Sequence, residues 1–346
     1  MVRGWFGSEH FKRILNGKVL NKDQASAALH SIMSSDHTQD DVVKFLQALN
    51  IREVTIAEVA GFVEAMRAAV VQVDARGLFR PVIDMCGTGG DKSGTFNIST
   101  TAALVIAGTD RVIVAKHGNR AASSKCGSAD VLEALGVNIN VSSGTVRHCL
   151  REAGMGFMFA PAFHPAMKEV ALARKALGVR TIFNFLGPLA NPAGVTRQVI
   201  GVSDEIMAEK LAEVLSEVNT EHALVVNGPA DLDEIGLSGP TTVHEVRDGS
   251  LTTYEIRPED FGLDPASLDE IRGGDTKTNA TIILQLLSSQ LHGSKRDMVL
   301  LNAAAGLYVA DVVPSIQDGL VVARRSIDSG QAMTALKKLQ MTSQEG

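Results

Sequence analysis

The chain has 346 residues, of which 45% are hydrophobic and 21% charged, and its net charge at pH 7 is −6. This composition is ordinary for a globular protein, and the length favours two domains or one domain with a subdomain. The acidic balance argues against a protein that coats nucleic acid, and the longest apolar run near a helix, residues 102–107, is far shorter than the roughly 20 residues that span a bilayer.

The N-terminal residues lack the apolar core of a signal peptide, so we expect a cytoplasmic protein with no membrane partner. Cys86, Cys126 and Cys149 are single cysteines without C-x-x-C spacing. They predict neither a disulfide framework nor a zinc site.

Residues 1–75 read as consecutive short helices. Three capping-box patterns, each with a side-chain cap followed three residues later by an acid or amide, begin apolar-periodic segments. They are Asn21-x-x-Gln24, Thr38-x-x-Asp41 and Thr55-x-x-Glu58. Nothing in this region carries obvious chemistry, so packing or dimerisation is its expected role.

From about residue 80 short apolar runs alternate with helical stretches, a pattern that predicts an α/β domain with a largely parallel sheet. The predicted strands are residues 82–83, 112–115, 137–141, 155–159, 198–202 and 223–226. Residues 242–256 alternate around Asp248-Gly249, which predicts a hairpin and an antiparallel edge. Helices are predicted near 279–292, 297–309 and 331–340.

The first strand leads into a loop that contains Gly87, Gly89, Gly90 and Gly94. An apolar helix follows, with three capping candidates before it: Asn97, Ser99 and Thr100. Glycines let backbone N–H groups approach a phosphate, and a helix N-terminus attracts negative charge. The loop fits neither the G-x-x-x-x-G-K-[ST] nor the G-x-G-x-x-G signature, so a tight turn stays open as the alternative.

A second loop repeats the arrangement after the strand at 111–115. It carries Lys116 and Arg120 and leads into a helix from Ser128 to Leu135 that Gly136 ends. Two such loops in one chain favour phosphate binding over a pair of tight turns. Local basic residues on an acidic protein suit a small anionic ligand better than a polymer.

An insertion interrupts the alternation of predicted strands and helices. His164-Pro165 begins a helix that reaches Leu177, and Gly178 ends it. Its predicted apolar stripe contains Met167, Val170, Ala171 and Leu177, and Arg174 falls on that stripe. A buried guanidinium needs an anion, which is either a structural carboxylate or the carboxylate of a ligand.

Two further segments leave alternatives open. Gly187-Pro188 and Asn191-Pro192 impose a rigid path, which is either a structured crossover or a hinge between domains. Asp233 and Glu234 follow the predicted strand at 223–226. They are either solvated surface or ligands of Mg²⁺, which takes few protein carboxylates and completes its shell with water and phosphate oxygens.

Several motifs together resemble those of the anthranilate phosphoribosyltransferase family, which joins anthranilate to phosphoribosyl pyrophosphate in tryptophan biosynthesis. They are Gly87-Thr-Gly-Gly-Asp91, Asn97-Ile-Ser-Thr100, Lys116-His-Gly-Asn-Arg120, the segment 127–136, His164-Pro-Ala-Met167 and Gly187-Pro-Leu-Ala-Asn-Pro192. The resemblance covers nearly the whole chain and is weakest at the N-terminus.

The resemblance implies a fold and an assembly. The fold is α/β, with a small helical domain packed on a larger α/β domain that has a mainly parallel sheet and an antiparallel edge. The helical domain takes residues 1–75 and about 165–185, and the phosphoribosyl-binding domain takes 76–164 and 186–346. A homodimer through the helical domain is expected.

The resemblance also implies ligands for individual residues. The donor contacts Gly87, Gly90, Asp91, Thr95, Asn97, Ile98, Ser99, Thr100, Lys116, Ser123, Ser124 and Ser128. Anthranilate lies beside Gly87, His117, Asn119, His164 and Arg174, with the arginine facing its carboxylate. Mg²⁺ is held by Ser99, Asp233 and Glu234. The reaction needs no covalent nucleophile, so no residue is assigned a catalytic role.

Two other functions stay open at this point. A pyrimidine nucleoside phosphorylase has a similar fold and a related glycine loop, but it needs no arginine for a carboxylate. A nucleic-acid-binding relative would show a basic surface and would lack Arg174 or the Asp233–Glu234 pair.

Overall fold

The computed structural model describes residues 4–34, 37–121 and 124–345. The chain divides into two compact units, a helical unit of residues 1–71 and 161–192 and an α/β unit of residues 72–160 and 193–346. Its helices are α1 Glu9–Leu15, α2 Lys22–Met33, α3 Gln39–Asn50, α4 Ile56–Ala69, α5 Ile98–Gly108, α6 Ser128–Ala134, α7 Ser143–Ala153, α8 Ala160–Phe163, α9 Lys168–Leu177, α10 Glu205–Glu217, α11 Thr276–Leu287, α12 Ser294–Val309, α13 Ile316–Asp328 and α14 Gln331–Thr342. Its strands are β1 Val82–Gly87, β2 Ile113–Gly118, β3 Met155–Phe159, β4 Arg197–Gly201, β5 His222–Asn227, β6 Thr241–Arg247 and β7 Ser250–Ile256.

The helical unit begins its helices where the capping boxes predict. Asn21, Thr38 and Thr55 each cap a helix, and the residue three positions on returns a hydrogen bond to the cap backbone. The buried Glu58 carboxylate also accepts a hydrogen bond of 2.9 Å from the Leu20 backbone N–H and pairs with Arg52. One buried carboxylate therefore caps α4 and ties it to the chain before α2.

Helix α9 ends at Gly178 as predicted, with φ of 66° at that glycine. Its buried face consists of Val170 and Ala173, whereas Ala171 is exposed. The predicted stripe was therefore wrong at Ala171. Val170 and Ala173 are three residues apart, which keeps them on the same side of the helix, whereas Ala171 is rotated about 100° from Val170.

The α/β unit contains one seven-stranded sheet in the order β3-β2-β1-β4-β5-β6-β7. Strands β1 to β5 pair in parallel, and β6 and β7 are added antiparallel, as predicted. Asp248 and Gly249 both have positive φ, 47° and 79°, at the turn of the β6–β7 hairpin. Positive φ at both central residues matches the right-handed twist of the flanking strands.

The predicted strand at residues 137–141 was wrong. Val137 and Ile139 are buried, as their alternation indicates, but the segment pairs with no strand in the part of the chain described here. The backbone N–H of Asn138 instead donates to the Ser343 hydroxyl at 3.0 Å, just beyond the end of α14. Alternating burial arises here without a strand, because Val137 and Ile139 both enter the hydrophobic core.

The helices of the C-terminal half cover the sheet. Helices α11, α12 and α14 lie close to their predicted positions, and α13 was not predicted. Helix α5, buried along nearly its whole length, packs against α12 and α14. This packing fixes the position of the α5 N-terminus relative to the strand ends. No helix among the described residues combines the length and apolar content needed to cross a membrane.

A polar network joins three strands and α12 within the α/β unit. Glu245 accepts hydrogen bonds of 2.8 Å from His222, Tyr254 and Tyr308. Burial alone would raise the pKa of the Glu245 carboxyl, but these three hydrogen bonds lower that pKa to about 2. The charged carboxylate therefore stabilises this part of the fold.

We predict that Glu245→Gln lowers the free energy of unfolding by about 1–2 kcal/mol at pH 7, a value reduced because solvent screens this half-buried carboxylate. The folded-state pKa lies below the unfolded one, so the stabilisation is present above about pH 5 and is lost as pH falls toward 2. Urea unfolding at pH 7 and pH 3 measures it, with exposed Glu255→Gln as the control. An equal loss of stability at both pH values would contradict the assignment.

Candidate active site

The carboxyl ends of the parallel strands meet at one edge of the sheet, where open α/β sheets bind ligands. There β1 ends at Gly87, β2 at Gly118, β4 at Gly201 and β5 at Asn227. Three of the four are glycines. The absence of side chains leaves room for the loops that follow to pack directly on the strand ends.

Asp233 lies against the ends of β1 and β4. A Cβ added to Gly201 would lie 1.7 Å from the Asp233 carbonyl oxygen, and one added to Gly87 would lie 2.3 Å from Asp233 Oδ2. The Gly89 N–H donates to the same Oδ2 at 2.6 Å, with φ of 70° at Gly89. The glycine loop and the acidic turn are therefore in direct contact.

The turn that carries Asp233 and Glu234 is held from both sides. The Gly228 N–H donates to the Leu232 carbonyl at 2.8 Å. The amide of the fully buried Asn302, on α12, bonds both the N–H and the carbonyl of Ile235 at 3.0 Å. These contacts fix the backbone on both sides of the carboxylate pair.

The N-terminus of α5 meets the second carboxylate and a buried lysine. The Ser99 N–H donates to Glu234 Oε1 at 3.0 Å. Lys116, only 1% exposed, donates from Nζ to the Ser99 hydroxyl at 3.2 Å and to the Met85 carbonyl. Strands β1 and β2, helix α5 and the acidic turn thus converge on Ser99.

The acidic side chains at this point disfavour one another's charged forms. Burial, followed by the charge of Asp91, raises the pKa of Asp233 well above its usual range. Burial, followed by the charge of Asp233, raises the pKa of Glu234, although Lys116 and the Ser99 N–H act in the opposite direction. A cation beside the two carboxylates would relieve both penalties.

The residues of this site fit a divalent cation that is bound partly by the protein and partly by the ligand. Within the described ranges, no three His, Cys, Asp or Glu side chains are grouped to bind a metal by themselves. Asp233, Glu234 and the Ser99 hydroxyl offer oxygen ligands at the site, and the Asp91 carboxylate lies close enough to act on Asp233. Mg²⁺ is commonly bound by one or two carboxylates, with substrate phosphates and water completing its octahedral shell.

The second loop is held by Asp130, which sequence analysis did not select. Its Oδ2 accepts hydrogen bonds of 2.9 Å from the backbone N–H groups of Ala121 and Gly127. Arg120 is paired with Asp130 and Glu133. Two carboxylates therefore offset the positive charge of the Arg120 guanidinium in this structure, and anion binding by this loop stays a prediction.

The structure brings most of the predicted donor-binding residues onto the two loops and the helix starts that follow them. Ile98, Thr100 and Lys116 are buried, and Gly90, Asp91, Thr95, Asn97, Ser99 and Ser128 are partly buried. Gly87, Asn119 and Ser124 are exposed, and His117 is 7% exposed. Ser123 lies outside the described residues. The assignment of these residues to particular ligands stays a prediction.

His164 and Arg174 belong to the helical unit. Burial lowers the pKa of His164 to about 4, so its imidazole is neutral at pH 7. The partly buried Arg174 has its pKa lowered by burial, and no carboxylate among the described residues pairs with it. One interpretation pairs Arg174 with a structural carboxylate. No described residue of the helical unit supplies that carboxylate.

Sequence reasoning missed Gly201 and Ser203. Ser203 Oγ donates to the Gly89 carbonyl at 2.9 Å, and the Thr88 N–H donates to the Gly201 carbonyl at 2.8 Å. These contacts seat the glycine loop on the end of β4. A glycine that ends a parallel strand was the available signal for Gly201, but its importance depends on Asp233, which lies 32 positions later in the chain.

Two family models of the glycosyl transferase family match the chain. The one described as the a/b domain matches residues 80–333, and the one described as the helical bundle domain matches residues 8–70. The chain is 49% identical over 337 residues to an anthranilate phosphoribosyltransferase of Roseiflexus sp. (strain RS-1), covering 96% of this chain and 97% of that protein.

Solved structures are similar over almost the full length. The anthranilate phosphoribosyltransferase of Thermus thermophilus is 39% identical, with a TM-score of 0.91, covering 97% of this chain and 100% of the other. That of Saccharomyces cerevisiae, in complex with PRPP (phosphoribosyl pyrophosphate) and Mg, is 29% identical, with a TM-score of 0.89, covering 97% of both chains. The yeast enzyme has also been solved with 4-fluoroanthranilate.

We predict that Gly201→Ala lowers the free energy of unfolding by about 3 kcal/mol, because its Cβ overlaps the Asp233 backbone and the packed turn must move. Gly239→Ala is the matched control, since its Cβ would make only ordinary contacts with Pro229. Urea unfolding of both variants measures the difference. Equal stability of the two variants would show that the turn accommodates a side chain.

Proposed function

This chain belongs to the anthranilate phosphoribosyltransferase family, and on that premise we propose that it transfers the phosphoribosyl group of phosphoribosyl pyrophosphate to the amine of anthranilate. The products are N-(5-phosphoribosyl)anthranilate and pyrophosphate, and the reaction serves tryptophan biosynthesis. The observation that carries the proposal is the convergence of Lys116, Ser99, Asp233 and Glu234 at the sheet edge where the glycine loop ends against α5.

The reaction forms a bond between the amine nitrogen and the anomeric carbon. The bond from that carbon to pyrophosphate breaks, its electron pair leaves on the pyrophosphate oxygen, and the nitrogen loses a proton. Charge therefore develops on the leaving group, and preorganised donors aimed at that charge are the main help a protein can give. The Lys116 ammonium and the backbone N–H groups of the glycine loop and the α5 N-terminus suit this task.

We assign the donor to the two loops, with Gly87, Gly90, Asp91, Thr95, Asn97, Ile98, Ser99, Thr100, Lys116, Ser123, Ser124 and Ser128 as its contacts. We assign Mg²⁺ to Ser99, Asp233 and Glu234. When bound, Mg²⁺ supplies positive charge that neutralises pyrophosphate as it leaves. Without a cation, the partly buried carboxylates would repel the donor, so the charge of the pair supports a role for metal in donor binding.

We assign anthranilate to Gly87, His117, Asn119, His164 and Arg174. A partly buried guanidinium with no carboxylate paired to it in the described residues suits the planar carboxylate of this substrate. Neutral His164 suits an uncharged aromatic ring. Positioning the amine against the anomeric carbon accounts for the acceptor side of catalysis without a covalent nucleophile.

We further propose that the protein acts in the cytoplasm as a homodimer formed through its helical domain. The exposed apolar residues Leu15, Ile51 and Leu172 of the helical unit support the dimer. Light scattering at micromolar concentration decides between one chain and two, and a monomer at the working concentration would contradict it.

The activity itself is tested with purified protein, anthranilate, phosphoribosyl pyrophosphate and MgCl₂. Loss of anthranilate fluorescence that requires both the donor and the metal is the expected result. Activity on thymidine or uridine with phosphate, in place of that loss, would replace the proposed function by nucleoside phosphorolysis.

We predict that Arg174→Ala raises the anthranilate KM by about a hundredfold, since it removes a charge-assisted bidentate contact, and leaves the donor KM nearly unchanged. Lys175→Ala on the exposed side of the same helix is the control. Steady-state rates with both substrates varied provide the measurement. An unchanged anthranilate KM in the Arg174 variant would remove this residue from the acceptor site.

We predict that Asp233→Asn combined with Glu234→Gln abolishes the dependence of turnover on Mg²⁺ and lowers kcat/KM by about a thousandfold. The control is Asp231→Asn, an exposed carboxylate on the same turn. Calorimetric titration of MgCl₂ in the presence of donor gives a second readout, in which the double variant shows no metal binding. Retained metal binding would place the cation elsewhere.

A further inference from the structure

We propose that Asn279, on α11, is a positioning residue that fixes the orientation of the Asn97 amide and so holds the two donor loops together. This inference rests on the proposed function, because it assigns Asn279 an effect on binding of the phosphoribosyl donor. Asn279 lies 182 positions after Asn97 and is not among the residues that the family resemblance assigns to a ligand.

Asn279 is 1% exposed, and its side-chain amide forms hydrogen bonds at both ends. Its Nδ2 donates to Asn97 Oδ1 at 3.0 Å, and its Oδ1 accepts from the Gly274 backbone N–H at 2.8 Å. Because the Gly274 N–H can only donate, it fixes which end of the Asn279 amide is oxygen. The Nδ2 group is thereby directed at Asn97.

Asn97 connects the first loop to the second. It occupies the N-cap position of α5, yet its side chain makes no capping hydrogen bond. Its Oδ1 accepts from Asn279, and its Nδ2 donates to the Cys126 carbonyl at 3.2 Å. Cys126 lies just before α6, so one amide joins the starts of the helices that follow the two loops.

The Asn97 amide can satisfy this bridge in only one orientation. If it flipped, its NH₂ group would face the NH₂ group of Asn279, and its oxygen would face the Cys126 carbonyl oxygen. One contact would then bring two donors together and the other two acceptors, so neither hydrogen bond would form. The Asn279 amide therefore selects the Asn97 orientation that links the loops.

The backbone before α11 reinforces the contact. The Gly273 N–H donates to the Gly94 carbonyl at 2.9 Å, and Thr95 forms an antiparallel bridge with Arg272. A Cβ on Gly273 would lie 2.7 Å from the Phe96 Cα. Residues 272–274 thus pack directly on the end of the glycine loop, with Asn279 behind them.

The functional consequence follows from preorganisation. Loops that are already joined lose little conformational freedom when the donor binds, whereas loops that separate must be ordered at that moment. Removing the Asn279 amide is therefore expected to weaken donor binding while the acceptor side is unaffected. A purely structural role would instead lower stability without selecting one substrate.

The test uses Asn279→Ala and Asn279→Leu in the full-length protein, because the leucine fills the buried space that alanine leaves empty. Ser326→Ala is the matched control, because it removes another buried hydrogen bond, 2.7 Å from Ser326 Oγ to the Val105 carbonyl, at the opposite end of α5. Calorimetry measures the Kd of phosphoribosyl pyrophosphate with MgCl₂, and steady-state rates give KM for each substrate.

We expect the donor Kd and KM to rise about tenfold in both Asn279 variants, with kcat at saturating donor and the anthranilate KM within about threefold of the wild type. In the Ser326 variant the donor Kd should not change. If Asn279 acts through Asn97, adding Asn279→Ala to Asn97→Ala should weaken donor binding no further than Asn97→Ala alone.

Three results would overturn the proposal. The first is an unchanged donor Kd in the Asn279 variants, the second is a similar increase in Ser326→Ala, and the third is an effect that multiplies with that of Asn97→Ala. A different result would refute the proposed function. A wild-type protein that binds the donor but does not consume anthranilate would refute the transferase activity, and the Kd series would still decide the role of Asn279.

Discussion

The arrangement of the site depends on the close contact between the turn that carries Asp233 and the bare ends of β1 and β4. No side chain fits at Gly201, because its Cβ would overlap the Asp233 carbonyl oxygen. This packing places a carboxylate within hydrogen-bonding distance of the glycine loop, at the end of the sheet where the α5 N-terminus also lies. Gly87, Gly201 and the acidic turn thus determine where a cation can neutralise the carboxylates.

The charges gathered there are costly to the protein by itself. Burial and mutual repulsion raise the pKa values of Asp233 and Glu234, and Lys116 is buried beside them. Retaining such a cluster lowers the stability of the fold, and this is common at functional sites. The cluster becomes favourable when a cation and an anionic ligand complete the charge balance, which is the chemistry proposed for the donor.

The loops are held by residues that are distant from them in sequence or lie outside the predicted site. Asp130 fixes the second loop through two backbone N–H groups, and the segment before α11 packs on the end of the first. Arg120, which resembles an anion-binding residue in the sequence, is neutralised by Asp130 and Glu133. Contacts from outside the loops therefore fix the described parts of both loops.

The sequence by itself determined the local features of this protein. Capping boxes located α2, α3 and α4, alternation and Asp248-Gly249 located the hairpin, and the motifs around Gly87, Lys116 and His164 indicated the family. These signals lie within a few residues of the structures they predict. Tertiary structure alone decided that Asn138 bonds to Ser343 rather than to a strand, that Arg120 is paired and that Asn279 reaches Asn97. Each of these outcomes depends on a partner between 10 and 205 positions away, and a pattern read along the chain contains no information about which distant group will be adjacent.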